Sequence, residues 1–216
     1  MPITSPKLPK QLIKGIDINR DFLTCLEKDE SLEAIHYSNQ ALEYQNYRQL
    51  EIRAAIFDHI YFDHFELNNG YFLDVVLDSC DLSNAHLNNS LLRRVVFKDC
   101  KLVGVDFNEC SFDQVRFENC LMTMASFAQF ATKGLLFESC DLGNASFLEA
   151  SLKKVSFQTC KLIQAEFLHA SLMNVDLSNS EIDGITLTLD DLKGAIVRPS
   201  QALSLSRLLG LQIKDE

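Results

Sequence analysis

The residues with the greatest chemical potential in this chain are its cysteines. Six of the seven occur at one recurring position, five of them spaced by twenty residues. Thiols can bind metals, act as nucleophiles or form disulfides. However, no CxxC pair is present, and no histidine or carboxylate occupies this recurring position between residues 50 and 185. The six are Cys80, Cys100, Cys110, Cys120, Cys140 and Cys160.

The remaining candidates for chemistry are scattered. The histidines lack the spacing of metal ligands, and the chain contains neither a glycine-rich phosphate loop nor a nucleophile elbow. We therefore expect no enzyme activity, no metal site and no cofactor. The five histidines are His36, His59, His64, His86 and His169.

A repeat of five residues indicates the element that must hold these groups. Every fifth residue from Ile52 to Leu192 is a large apolar one, with Thr132 as the exception. On an α-helix five residues advance about 500°, so the apolar residues would spread around the cylinder. On a straight strand each odd step would reverse the side chain. A chain that turns a corner every five residues points them all inward, with the cysteines packed two positions before each large residue.

A second period of twenty residues predicts the shape of this coil. Phenylalanines recur at this spacing in two series, one beginning at Phe97 and the other at Phe107. Twenty residues equal four units, which predicts a four-sided coil with identical residues stacked in columns. Coils between residues 32 and 192 would number about eight, at about 4.8 Å each.

The units themselves resemble those of the pentapeptide-repeat family, whose unit is roughly A(D/N)Lxx. Examples are CDLSN at 80–84, AHLNN at 85–89 and CDLGN at 140–144. The resemblance extends from about residue 32 to 196. It implies an all-β fold, a right-handed four-sided parallel β-helix, with residues 1–31 as an N-terminal arm or cap.

The end of the chain, residues 197–216, resembles that of Qnr-type proteins, which protect type II topoisomerases from quinolones. Pro199 and Ser200 predict the start of a short helix, and Leu211 and Ile213 alternate as in a short strand. The resemblance implies a homodimer through this tail; the alternative is a tail that only covers the last coil. The implied interface residues are Leu203, Leu205, Leu208, Leu209, Leu211 and Ile213.

The charges are sorted by side of the predicted coil. One side has no Lys or Arg between residues 66 and 189, and its carboxylates are Glu66, Asp106, Glu109, Glu149 and Glu166. The adjacent side carries Arg93, Arg94, Lys133, Lys153 and Lys154. The net charge of −10 argues against direct binding of nucleic acid. The Qnr-type resemblance implies instead that the acidic side imitates DNA and binds DNA gyrase or topoisomerase IV.

Other interpretations stay open at this point. Acidic residues also serve solubility, and the chain could be a general scaffold for an unidentified cytoplasmic partner. The repeat has no insertion between residues 52 and 192, whereas many Qnr-type proteins project loops that take part in topoisomerase recognition. The exchange of sizes at Phe130 and Thr132 predicts a packing compensation or a partner contact. Without a secretory signal or long apolar run, we expect a soluble cytoplasmic protein with no membrane association.

Overall fold

The computed structural model describes residues 2–43, 47, 49–62 and 64–211. The chain winds into a parallel β-solenoid of about seven turns. Its strands are β1 (Ile13–Lys14), β2 (Leu32–Glu33), β3 (Ile35–Leu42), β4 (Glu51–Phe62), β5 (Tyr71–Asp78), β6 (Leu91–Lys98), β7 (Ser111–Glu118), β8 (Ala131–Glu138) and β9 (Val155–Gln158). Its helices are α1 (Ile18–Lys28) and α2 (Pro199–Leu205), followed by a 3₁₀ turn over Ser206–Leu209.

The register of the strands shows the twenty-residue turn directly. Strands β3 to β9 pair in chain order and in parallel, and Ile52 lies opposite Phe72, which lies opposite Leu92. The other sides of the coil are joined by single bridges, such as Asp81 to Lys101. The predicted β-helix is confirmed, with about seven turns against the eight expected. The first turn, from residue 32 to 51, contains four of the residues outside the described ranges.

Corners of the coil depend on a left-handed backbone conformation at nearly every fifth residue, and Gly134 is one of the exceptions. The φ angle is 58° at Asn84, 66° at Gly104 and 57° at Asn144. Asparagine and glycine adopt this region at little cost, whereas most other residues do not. Glu109 and Lys154 also hold it, at 58° and 67°. Each corner returns the next apolar residue to the interior and leaves the outward side chains in columns.

Two ladders of phenylalanine rings fill the interior. The ring centroids of Phe117 and Phe137 lie 5.2 Å apart with nearly parallel planes, as do those of Phe127 and Phe147 at 5.3 Å. Rings of different ladders meet edge to face, as Phe127 and Phe137 do at 87°. Both arrangements are favourable for aromatic pairs. The predicted columns are therefore present, and their rings are in contact with one another.

The cysteine column packs as small apolar side chains. All six thiols are at most 2% exposed and all are free. The Sγ of Cys80 lies 3.4 Å from the carbonyl oxygens of Phe57 and Asp78, and its successors repeat this contact. Burial raises the pKa of the Cys110 thiol to about 12, so this sulfur stays protonated at neutral pH. The described residues contain no group of histidine, cysteine or carboxylate side chains arranged to hold a metal ion.

Each end of the coil is covered. Phe22 of α1 is fully buried and meets Tyr47 edge to face at 5.4 Å, whereas Leu26 of the same helix is 38% exposed. At the other end Gln201 of α2 is buried, and its Nε2 donates to the carbonyls of Leu177 and Ser180 at 3.0 and 2.8 Å. These bonds satisfy carbonyl groups of the last turns. Within the described ranges, neither helix is long and apolar enough to cross a membrane.

Candidate protein-interaction site

The five carboxylates predicted for partner binding lie on one side of the coil, called here the acidic face. Single parallel bridges run from residue 66 to 86, 106, 126, 146 and 166, which places Glu66, Asp106 and Glu166 in one column. Glu109 and Glu149 occupy left-handed corners at the edge of the same side and are exposed. The face therefore presents two columns of carboxylates along the axis of the rod.

Hydrogen bonds within and between turns hold Asp106, Glu149 and Glu166, and these donors are neither lysine nor arginine. The Oε2 of Glu149 accepts from Gln129 at 2.7 Å, and the Oε2 of Glu166 accepts from the Ser146 hydroxyl at 2.7 Å. Asp106 accepts from the amide of Asn108 at 2.9 Å and lies 3.7 Å from the His86 ring. Because most of these donors are neutral, they fix the carboxylates in place and leave most of the negative charge uncompensated.

The adjacent side, called here the basic face, differs between its two halves. In the upstream half, Arg94 forms two hydrogen bonds with Asp74 of the preceding turn, both at 2.6 Å. Their side chains are only 15% and 10% exposed. Arg93 lies 3.4 Å from Asp113. Arg94, expected as an outward positive charge, is thus neutralised and almost covered.

The pKa of Asp74 reflects this pairing. Burial alone would raise it, since a carboxylate loses solvation. The hydrogen bonds from Arg94 and from the Lys7 amide, together with the charges of both side chains, outweigh burial and hold the pKa of Asp74 below its ordinary value. Asp74 is therefore ionised at neutral pH and contributes to stability in that form.

Residues 2–12, the first part of the predicted N-terminal segment 1–31 and called here the arm, lie along the upstream half of the basic face. The amide of Thr4 donates to Gln114 Oε1 at 2.9 Å, and the amide of Lys7 donates to Asp74 Oδ1 at 2.7 Å. Two turns, about 9.6 Å, separate the acceptors, which is about the reach of three extended residues. The arm therefore runs parallel to the rod axis. Its continuation, β1, pairs with β3 and covers the first strand edge.

The boundary between the two halves is the irregularity at residues 130–134. Phe130 is buried in the position normally held by a small residue, and its ring meets Phe112 at 5.5 Å. Thr132 takes the large position, and its hydroxyl accepts from the Gly134 amide at 2.9 Å. Residue 112 pairs with 132, 113 pairs with 134, and 115 pairs again with 135, so the register shifts locally and leaves Lys133 without a partner in the ladder, as in a β-bulge. The large and small side chains have exchanged places, and one outward residue is displaced.

Beyond the bulge the basic face loses its strand. β8 begins at Ala131, whereas β9 begins only at Val155, and residues 153–154 form a turn instead. A shallow groove of about 310 Å³ opens here, lined by Ser151, Leu152, Lys153, Ser171 and Met173 among others. Met173 is 55% exposed. In the described chain, Lys133, Lys153 and Lys154 are exposed and form no ion pair.

The C-terminal tail exposes apolar side chains at the end of the rod. Leu203, Leu208, Leu209 and Leu211 are 58%, 38%, 59% and 55% exposed. Leu205, which the sequence placed in a dimer interface, is buried against the core of its own chain at 8% exposure. Ile213 and the expected short strand that includes it lie outside the described residues. The exposed leucines form one apolar end surface.

Sequence reasoning missed the contact between the arm and the basic face. It depends on two amides that donate to side chains 67 and 110 residues away, so no local pattern could reveal it. It also missed the pairing of Arg94 with Asp74, although the twenty-residue spacing of these opposite charges was the available signal. The bulge did leave a signal in the sequence, the exchange of sizes at Phe130 and Thr132. The sequence did not reveal that Lys133 would lose its partner in the ladder.

Comparison with known structures relates the fold to other proteins. The chain is similar to QnrB1, a plasmid-mediated fluoroquinolone resistance protein, with 18% identity over 85% of this chain and 98% of that one, and a TM-score of 0.50. A second QnrB1 structure shows 18% identity over 83% and 97%, with a TM-score of 0.44. HetL, involved in heterocyst differentiation regulation in the cyanobacterium Nostoc, shows 18% identity over 88% and 89%, with a TM-score of 0.30. At these identities the likeness shows the fold alone.

Comparison of the sequence gives the family. A search of curated proteins found no match. A family model described as a pentapeptide repeat region matches residues 70–147, and one described as pentapeptide repeats matches residues 150–188. The matches together span more than half of the chain and fall within the coil. They agree with the five-residue corners and the four-sided turns, and the chain belongs to the pentapeptide-repeat family.

Proposed function

We propose that this chain binds a type II topoisomerase, DNA gyrase or topoisomerase IV, through the acidic face and protects it from quinolones or modulates it. The observation that carries the proposal is the uncompensated charge of Asp106, Glu109, Glu149 and Glu166, none of which forms an ion pair with a lysine or arginine in the described residues. A rigid row of carboxylates attracts a basic surface and orients it during the encounter. A groove that binds DNA is such a surface.

The dimensions of the rod support imitation of a duplex. About seven turns give a length of roughly 34 Å, and the carboxylates of Glu109 and Glu149, two turns apart, are separated by about 9.6 Å along the axis. Similarity to QnrB1, a fluoroquinolone resistance protein, is consistent with this role. The repeat has no insertion between residues 52 and 192, so the faces of the coil must supply the contacts that projecting loops supply elsewhere.

The test is a supercoiling assay with DNA gyrase, with and without a fluoroquinolone. We expect the chain to change the inhibitory concentration of the drug several-fold. Replacing Glu109, Glu149 and Glu166 by Lys should abolish this effect, since the face would become repulsive to a basic groove. A matched control replaces Glu27, Glu33 and Asp183 by Lys, which changes the net charge equally away from the acidic face. Full activity of the acidic-face variant, or equal loss in both, would contradict the proposal.

Homodimerisation is part of the proposal and has its own support. The apolar end surface of Leu203, Leu208, Leu209 and Leu211 is the kind of patch that a second copy covers. Replacing Leu208 and Leu209 by Asp should yield a monomer by light scattering. An unchanged mass would leave the tail as a cap of its own coil.

A second candidate function is that of a scaffold for another cytoplasmic protein. The exposed lysines Lys133, Lys153 and Lys154 of the basic face favour it, because a cluster of positive charges does not serve imitation of DNA. Pull-downs that repeatedly return another protein, together with no effect on supercoiling, would support this candidate. The cytoplasm fits both functions, since free thiols persist in reducing compartments.

A further inference from the structure

We infer that the downstream half of the basic face, formed by Lys133, Lys153, Lys154 and the groove beside Met173, is a docking surface for an extended acidic peptide segment of a partner protein. This surface is separate from the acidic face and does not depend on the function proposed for it.

The lysines of this half are the first support. Upstream cations on the same face are already neutralised, Arg94 by Asp74 and Arg93 by Asp113. Lys133, Lys153 and Lys154 are exposed and form no ion pair among the described residues. Three ammonium groups on two successive turns make a local positive charge on a chain whose net charge is −10. The complementary partner group is a set of carboxylates.

The bulge supplies a second, independent support. It is the irregularity of register in the pairing of β7 with β8, and it places Lys133 outside the ladder. Bulges commonly redirect a side chain toward a binding site. The carbonyl of Lys133 accepts from Gln114 Nε2 at 3.3 Å, which holds the displaced residue in place. The lysine thus projects from a rigid turn.

The shape of the basic face favours an extended peptide as its occupant. The N-terminal arm shows that this face already accommodates an extended chain parallel to the rod axis, and the arm reaches as far as Gln114, one turn before the bulge. Beyond it, the groove offers the apolar side chain of Met173, which is 55% exposed, and the hydroxyls of Ser151 and Ser171. A partner segment would continue the line of the arm, with an apolar side chain in the groove and carboxylates on the lysines.

A nucleic acid fits this surface less well. Duplex DNA carries one charge per about 1.7 Å and needs a long basic track, whereas the lysines span two turns, about 5 Å along the axis. The next face of the rod is the acidic one, whose Glu149 lies in the unit before Leu152 and would repel further phosphates. Short acidic peptides avoid this conflict.

The experiment measures fluorescence anisotropy of a labelled dodecapeptide that contains six glutamates and two central leucines. Lys133→Gln, Lys153→Gln and Lys154→Gln are combined in one variant. The control combines Lys14→Gln, Lys28→Gln and Lys161→Gln, which removes three exposed cations that form no ion pair in the described chain. We expect the first variant to weaken binding about ten-fold and the control less than about two-fold.

Three outcomes would overturn the inference. They are absence of binding to the unaltered chain at physiological salt, equal losses in both variants, and tighter binding of a labelled dodecathymidylate than of the peptide. A further arm replaces the central leucines by glycine, which should weaken binding several-fold through the groove. If the lysine variant still changes the inhibitory concentration of the quinolone in the gyrase assay, the basic face and the acidic face act independently.

Discussion

The two halves of the basic face share one repeat but use their charges differently. Upstream, Arg94 and Asp74 neutralise each other under the N-terminal arm. Downstream, Lys133, Lys153 and Lys154 remain exposed beside a groove. The same inward columns run beneath both halves, and the exchange of sizes at Phe130 and Thr132 interrupts them between the two. A solenoid with a nearly uniform interior can therefore carry a sealed region and an open one on a single side.

The boundary between the halves lies where the core departs from its pattern. Phe130 fills the small position and Thr132 the large one, and the strand on this face ends one turn later. Side chains in a packed interior have little freedom to change volume singly. The exchange conserves volume approximately but shifts the backbone, and the shift produces the bulge at Lys133. A local repacking inside thus changes the surface outside.

The largest expected effect comes from undoing this exchange. Phe130→Ala should destabilise the chain by about 3–5 kcal/mol, since it leaves a cavity beside Phe112 and Phe127. Thr132→Leu alone should cost about 1–3 kcal/mol through overpacking. The double variant should be more stable than the sum of the two predicts, by about 1 kcal/mol or more, because the introduced leucine side chain would enter the vacated space.

Urea unfolding followed by circular dichroism measures these free energies. A non-additive gain would show that Phe130 and Thr132 act as one unit. Additive losses would mean that they are independent, and the bulge would then need another cause.

The next effect contrasts the halves directly. Arg94→Ala leaves the Asp74 side chain, 10% exposed, without its guanidinium partner, and should cost about 3 kcal/mol. Lys153→Ala removes an exposed side chain without an ion pair and should change stability by no more than about 0.5 kcal/mol. Each variant removes one positive charge from the same face. A difference between their free energies of unfolding in urea therefore reflects the surroundings of the two residues and not the change in net charge. Equal effects would contradict the division into sealed and open halves.

Much of this fold was predictable because its cause is periodic. The large residue at every fifth position must point inward, and stacked columns such as Phe117 over Phe137 follow from the twenty-residue spacing. The same indexing assigned Glu109, Glu149 and Glu166 to one side. Periodicity predicts which way a side chain points. It does not predict what that side chain meets.

The contacts that were not predicted are long-range or aperiodic. Arg94 was expected as a surface charge, but its partner Asp74 and the covering arm make it part of the structure. Leu205 shared its apolar character with Leu208 and Leu209, yet the turn of α2 points it at the core. Such choices depend on the path of non-repeating segments, whose contacts have no repeat to reveal them.

The smallest expected effect concerns the two backbone hydrogen bonds that hold the arm on the upstream half of the basic face. The arm's Lys7 amide donates to Asp74, which titrates, whereas its Thr4 amide donates to Gln114, which does not. The folded-state pKa of Asp74 is lowered, so its contribution to stability is complete above the unfolded value of about 3.9 and is lost as pH falls through the folded value. Hydrogen exchange, corrected for the intrinsic rate, should therefore show the protection of Lys7 falling several-fold in that acidic range.

The Thr4 amide should keep its protection until the coil itself unfolds. Asp74→Asn retains an acceptor without a titrating group, and its Lys7 amide should show no such step. If Thr4 and Lys7 lost protection together in both proteins, the arm would be released by unfolding of the coil and not by Asp74. The upstream half would then owe its closed state to the arm's path over the strands, and the Asp74–Arg94 pair would stabilise only the coil beneath it.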